Sequence, residues 1–402
     1  VPETYAFFST FRASFKQTAQ PVDLPADFWS WSLPERRAWF VKEVMVNYLP
    51  HEILPGDLLA GGRFNVQTST CLNKREAKEY DNLVLGKRGT RQATVWFHDH
   101  GYGNAGATSG HLIPDYERVI ASGWKEIHAD IKARYQALSQ DDKEGKKGAQ
   151  LRAMLTAATT ARDVAQKYED QCLASAEQET DATRRRELLQ MADNLALVPW
   201  EPAQTFWQGL QSLWLTHMLI MSVENYPGPG VSFGRIDQFL YPLWQNSVDE
   251  GMDREFGKEM LKCFWIHANT AYDAMIRVGG NQGITAGYGQ LITLSGMGAD
   301  GTDMTNDLTY AMLEVIDEMS PILEPKPNVR LHRNTPVQLY DKLVDMVSSS
   351  QGAPFLLNFD ERSMAGMMRQ ARVSGVEHLI NETNVHEYAP VGCLENTMVG
   401  ND

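Results

Sequence analysis

From about residue 117 to residue 195 the chain runs almost without glycine or proline, and Trp124, Ile127, Ile131, Tyr135 and Leu138 recur at spacings of three and four. Such a period lays one apolar stripe along a helix, so the segment predicts long amphipathic helices. Ala203 to Val223 is aromatic and apolar on most sides, which predicts a helix buried all round. Tyr226-Pro227-Gly228-Pro229-Gly230 reads as a loop, and Val376 to Glu382 reads as a further helix. Two short apolar runs, Gln290-Leu291-Ile292-Thr293-Leu294 and Pro354-Phe355-Leu356-Leu357-Asn358, read as buried strands. Strands separated by long helices imply an α/β architecture.

A chain of 402 residues that is 43% hydrophobic and 22% charged can bury a large core. Its formal charge of −14, from 37 basic and 51 acidic side chains, argues against nucleic acid as a partner. Cys71, Cys172, Cys263 and Cys393 are widely spread, with neither a Cys-x-x-Cys pair nor a zinc-like Cys/His cluster, which points to a reducing, cytoplasmic setting. The first residues lack a basic start followed by an apolar core, and Ser212 to Val223 is too short to span a bilayer, so neither secretion nor membrane insertion is expected. Gly279-Gly280-Asn281-Gln282-Gly283 and Gly296-Met297-Gly298-Ala299-Asp300-Gly301 lack the strand, Lys and helix of a phosphate loop, so they read as tight turns and no nucleotide is expected.

The chemistry concentrates near the C-terminal end, in Gly392-Cys393-Leu394-Glu395. On an extended segment residues two apart face the same way, so Cys393 and Glu395 would present a thiol and a carboxylate to one cavity. A nucleophilic Cys needs a base nearby and a lowered pKa, and no His is adjacent. A Cys that carries a hydrogen atom needs no thiolate. The plain alternative is a Cys buried as a small apolar group. His98-Asp99-His100 is a poor metal cage, since two His at i, i+2 have no third ligand near them. Phe28, Trp29, Trp31, Trp39, Trp96 and Phe97 could wall an aryl pocket, and each could as well be core material.

Several segments, in order, resemble one family. They are Leu54-Pro55-Gly56-Asp57-Leu58-Leu59-Ala60-Gly61, Gly110-His111-Leu112-Ile113-Pro114-Asp115-Tyr116-Glu117, Phe206-Trp207-Gln208-Gly209-Leu210-Gln211 and the stretch from Ser232 to Pro242. Gly298 to Leu308, Pro327-Asn328-Val329-Arg330-Leu331-His332 and Val391-Gly392-Cys393-Leu394-Glu395 follow. Jointly they resemble the glycyl radical enzymes of the dehydratase and decarboxylase branch. The resemblance implies a ten-stranded α/β barrel of two antiparallel half-barrels surrounded by helices, with the Cys on an interior loop. Residues 1–402 would be the N-terminal and central part of that domain, covering the first half-barrel and the Cys loop. The C-terminal glycyl radical domain would lie beyond Asp402. Arg372-Val373-Ser374-Gly375-Val376 looks like the radical motif but lacks its aromatic and precedes Cys393, so Gly375 reads as a turn glycine.

The resemblance further implies a protein-derived glycyl radical installed by a radical SAM activating enzyme, a thiyl radical at Cys393, acid or base work by Glu395, and no bound metal or nucleotide. It places His111 against the substrate, in a homodimer; Trp96, Phe97 and Ser232 are expected to line the site beside it. Diol dehydratases of this family carry His-Ser just before the Ser-x-Gly-Arg segment, whereas this chain has Glu224-Asn225-Tyr226-Pro227-Gly228-Pro229-Gly230-Val231-Ser232. The expectation is therefore an arylacetate decarboxylase of the indoleacetate or phenylacetate type. A carbon–oxygen, carbon–nitrogen or carbon–sulfur lyase of the same family is the alternative. A non-catalytic half-barrel without the radical domain is a different class of answer.

Overall fold

The computed structural model describes residues 22–62, 66, 68–84, 100, 111–223, 230–269, 289–320, 322, 324–349, 355–392 and 395–400. The helical expectation for residues 117–195 resolves into α1, Tyr116–Gln136, then α2, Lys146–Gln178, and α3, Ala182–Leu197. Small buried residues on α2, among them Ala149, Ala153, Ala161, Ala165 and Ala176, let its neighbours pack closely. Asp181 caps α3 by accepting the Arg184 N–H at 2.7 Å, replacing a bond that the first turn of a helix cannot make for itself. α1 is broken at Gly123, whose φ of +72° no side chain adopts easily and whose added Cβ would lie 2.3 Å from the Trp200 carbonyl oxygen. The N–H groups of Trp124 and Lys125 donate instead to the carbonyls of Pro199 and Trp200, each at 2.9 Å.

α4, Phe206–Val223, is buried nearly throughout, as its composition predicts. On it Gln211 bonds both the N–H and the carbonyl of Ala60, at 2.8 and 2.9 Å, so a polar side chain in the core has no unpaired amide atom. Around α4 gathers the main core with Trp214, Phe233, Phe264, Ile292 and Leu313. A second core joins Phe28, Phe40 and Met45 to Val164, Tyr168 and Met191 of α2 and α3.

Three parallel strands, β1 (Leu291–Ser295), β2 (Lys326–Leu331) and β3 (Leu356–Phe359), lie side by side in chain order. Helix α5, Asp307–Glu318, links the first two and α6, Val337–Ser349, the next two, which is the crossover that parallel strands require. Two single bridges extend the row: Gly234 pairs in parallel with Ile292, and Val231 with Leu112. The backbone order is thus 112, 231–234, β1, β2, β3. This establishes the α/β class; closure into a ten-stranded barrel is not seen among the described residues. β2 is a strand that the apolar pattern does not announce, because Pro327, Asn328 and Arg330 break its hydrophobicity. Asn328 and Arg330 are fully buried, Asn328 Oδ1 accepting from Asn358 and Arg330 donating to Asp360.

After β3 come α7, Asp360–Ser374, and an antiparallel hairpin of β4, Tyr388–Val391, and β5, Glu395–Met398. Gly375 ends α7 in the left-handed conformation at φ +69°, the turn role read from sequence. Val376 to Glu382 is not the helix its pattern suggested. Asn381 accepts the Thr383 N–H, and Asn384 accepts the Asn381 N–H, each at 3.0 Å, so side chains compete with the helical ladder and hold turns. Among the described residues no helix is long and apolar enough to cross a membrane.

Candidate functional site

Gly392, Cys393 and Leu394 join β4 to β5, and Val391 pairs with Glu395 across the hairpin. The stretch expected as one extended run therefore reverses direction, turned at Gly392, whose φ is +59°. Cys393 itself lies outside the described residues, as do Trp96 and Phe97. The hairpin is held against the first segment of the parallel row: Ala389 and Val391 pack with Ile113, and the Gly400 N–H donates to the Ile113 carbonyl at 3.0 Å. That contact brings the residue two positions before Ile113 to the turn.

This residue is His111. Its Nδ1 lies 3.2 Å from Oε1 of Glu395, joining two of the side chains expected at the site across 284 positions of sequence. The imidazole is 23% exposed and the carboxylate 54%, so both can meet a bound molecule. Glycine lines the ring. A Cβ on Gly230 would lie 2.2 Å from the imidazole Cδ2, and one on Gly392 would lie 2.5 Å from Nδ1. Both glycines have positive φ, +92° and +59°. The slot thus demands glycine twice over, for backbone conformation and for space. Gly289 closes in beside them, where an added Cβ would meet the Gly230 nitrogen at 3.2 Å and the Gly392 carbonyl at 3.9 Å.

Ser232 is wholly buried. Its hydroxyl accepts the Leu291 N–H at 3.1 Å and donates to the Gly289 carbonyl at 3.4 Å, which stitches the segment after Gly230 to the start of β1. Behind it a buried polar chain runs from the Tyr116 hydroxyl to His217 Nδ1 at 2.7 Å and from His217 Nε2 to Gln290 at 2.8 Å. Further along the same row, Asp237 accepts the Ser295 N–H at 2.7 Å and the Thr309 hydroxyl at 2.5 Å. Complete burial outweighs those bonds and pushes its carboxyl up to about 6.

The aromatic wall expected from the N-terminal region is core packing where it can be traced. Phe28, Trp31 and Trp39 make edge and tilted ring contacts with one another inside the second core, while Trp29 points to solvent. That cluster shares no residue with the Ile113, Ala389 and Val391 group behind the hairpin. His98 and Asp99 lie outside the described residues. Among the described residues no group of three His, Cys, Asp or Glu side chains could hold a metal ion. Gly392 stands in the Cys motif and Gly230 in the loop read from the sequence, but their seating around the imidazole, with Gly289 beside them, shows only in the positive φ values and the ring between them.

The family model described as PFL-like, pyruvate formate lyase-like, matches residues 92–402. A (2S)-3-sulfopropanediol dehydratase of Klebsiella oxytoca is 29% identical over 389 residues, covering 92% of this chain and 45% of the relative. An isethionate sulfite-lyase of Desulfovibrio desulfuricans is 29% identical over 303 residues, 72% of this chain and 34% of the relative. An indoleacetate decarboxylase of Tractidigestivibacter scatoligenes matches less of the chain, 55%, at 27% identity, and 24% of the relative is covered. The chain therefore spans less than half the length of each of these relatives. Among solved structures, one from work on 1,2-propanediol dehydration in Roseburia inulinivorans superposes with a TM-score of 0.74 at 22% identity, covering 99% of this chain and 52% of that one, a likeness of fold.

Proposed function

This chain belongs to the pyruvate formate lyase-like family, and on that premise we propose that it is the thiyl-bearing part of a glycyl radical lyase that breaks a carbon–oxygen or carbon–sulfur bond in a small polar substrate. The observation that carries the reading is the His111–Glu395 pair beside Gly392, in a chain matched over 92% of its length by a dehydratase. The glycyl radical, when installed by a radical SAM activating enzyme, supplies the oxidising equivalent that makes Cys393 a hydrogen-atom acceptor.

The other roles belong to side chains of this chain. Glu395 takes the proton of a substrate hydroxyl, and His111, hydrogen-bonded to it, orients that carboxylate and donates a hydrogen bond to the departing group, hydroxide or sulfite. The two side chains lie 3.2 Å apart, so a hydroxyl and an adjacent leaving group are served without diffusion of either. Ser232 acts as a positioning group through Leu291 and Gly289. Trp96 and Phe97 remain proposed lining residues. Small substrate, activating enzyme and homodimer are the partners this reading requires.

Arylacetate decarboxylation is the second reading, favoured by the absence of His between Glu224 and Ser232. It ranks lower because the traceable aromatics sit in the second core and the decarboxylase match covers only 55% of the chain. The deciding experiment is anaerobic assay of the activated full-length polypeptide with (2S)-3-sulfopropanediol, isethionate, trans-4-hydroxy-L-proline and propanediol, beside indoleacetate and phenylacetate. Dehydrated product or released sulfite supports the lyase. Carbon dioxide and a methylated arene, with the first panel untouched, would replace it by the decarboxylase.

A further inference from the structure

Resting on the lyase reading, we propose that Arg330 is a positioning residue that sets the Cys393 hairpin against the parallel row. Arg330 lies on β2, fully buried, and its guanidinium is gripped on every side. Nε donates to Oδ1 of Asp360 at 2.8 Å and Nη2 to Oδ2 at 3.0 Å, a bidentate fork. Nη1 donates to the carbonyls of His386 and Tyr388, at 2.9 and 3.1 Å, the residues from which β4 sets out toward Cys393. The guanidinium also lies 4.1 Å from the centre of the Tyr388 ring.

Asp360 completes the knot. It accepts the Tyr388 hydroxyl at 2.7 Å and the Met297 N–H at 2.6 Å. One ion pair therefore ties the end of β2, the first residue of α7, the turn after β1 and the root of the hairpin. Space is fixed as well, because a Cβ on Gly296 would meet Nε at 2.8 Å. An apolar residue would support the strand packing, but only a planar fork can donate to a carboxylate and to the backbone carbonyls of His386 and Tyr388 together. A buried fork of this kind sets geometry more than it adds net stability, since burying both charges offsets much of their attraction.

The test uses the full-length polypeptide with Arg330→Lys and, as the milder change, Tyr388→Phe, which keeps the ring and loses the hydroxyl bond to Asp360. Hydrogen exchange followed by mass spectrometry is expected to quicken about tenfold or more in peptides over residues 386–400 of Arg330→Lys, the effect of losing one or two bonds to a charged group, and less in Tyr388→Phe. Peptides over β1 and β2 should exchange as in wild type. After activation, the glycyl radical signal should match wild type while kcat falls and KM holds. Unchanged hairpin exchange, or an equal rise everywhere, would overturn the proposal, as would full kcat per radical. A wild-type enzyme inert on every substrate, with a loosened hairpin in Arg330→Lys, would leave the positioning role standing and remove the lyase. If Arg330→Lys does not fold, the exchange and kcat of Tyr388→Phe decide alone by the same criteria.

Discussion

Substituting Gly392 by Ala tests the most specific geometric claim, that the turn before Cys393 is shaped around an imidazole. At φ +59° an Ala adopts the left-handed conformation at a cost of about 1–2 kcal/mol. Its methyl would also lie 2.5 Å from His111 Nδ1 and 2.6 Å from Cε1, so ring or turn must move, and forced packing of that kind costs about 1–3 kcal/mol more. The sum is about 2–5 kcal/mol. Gly301 is the internal control: its φ is +82°, nothing lies within 4 Å of an added Cβ, and Ala there should show the conformational cost alone. Urea unfolding of wild type, Gly392→Ala, Gly301→Ala, His111→Ala and the double variant His111→Ala/Gly392→Ala gives the coupling directly. The expected interaction between positions 111 and 392 is about 1–3 kcal/mol, because removing the ring frees the space the methyl needs. A coupling near zero, or Gly392→Ala no worse than Gly301→Ala, would show that the ring is not seated in the slot.

Replacing Cys393 by Ser exchanges a weak S–H for a strong O–H bond, so turnover should vanish while the glycyl radical signal survives; product formation in that variant excludes a thiyl relay. Glu395→Gln removes titration but keeps volume, and a rate loss of about 10²–10⁴-fold is expected, with less than threefold reducing the carboxylate to a structural contact. Asp237, raised to about 6 in the fold by burial, binds its proton more tightly folded than unfolded, so its contribution is full below the unfolded value of about 4 and is lost as pH rises through about 6. Asp237→Asn should therefore flatten the stability profile across that window, as read by denaturation at stepped pH; an unchanged slope assigns the titration elsewhere.

Reading the sequence reached α1 to α4 and two of the three parallel strands because each announces itself locally, by period or by an apolar run. β2 stayed hidden, since Pro327, Asn328 and Arg330 interrupt any apolar run, and only the fold gives Arg330 its buried partner Asp360, thirty positions on. The helix expected over Val376–Glu382 failed for a related reason: Asn381 and Asn384 satisfy backbone groups that a helix would have used. His111 and Glu395 were named from motifs, yet their contact is a property of the fold, not of either segment. The aromatics left two readings open, pocket wall or core, because Phe28, Trp31 and Trp39 look the same in a sequence either way, and the fold places them in the core.

The order of segments in the row has a consequence for how the site comes into being. Leu112 is placed by Val231, and the segment of Val231 by β1, so the strand position of residue 112 is defined only once residues more than a hundred positions later have folded. Glu395 arrives later still. During synthesis the imidazole therefore waits, without its slot, until the ribosome has passed the hairpin. The contact between His111 and Glu395 therefore forms only after two segments 284 positions apart have both been made and brought together.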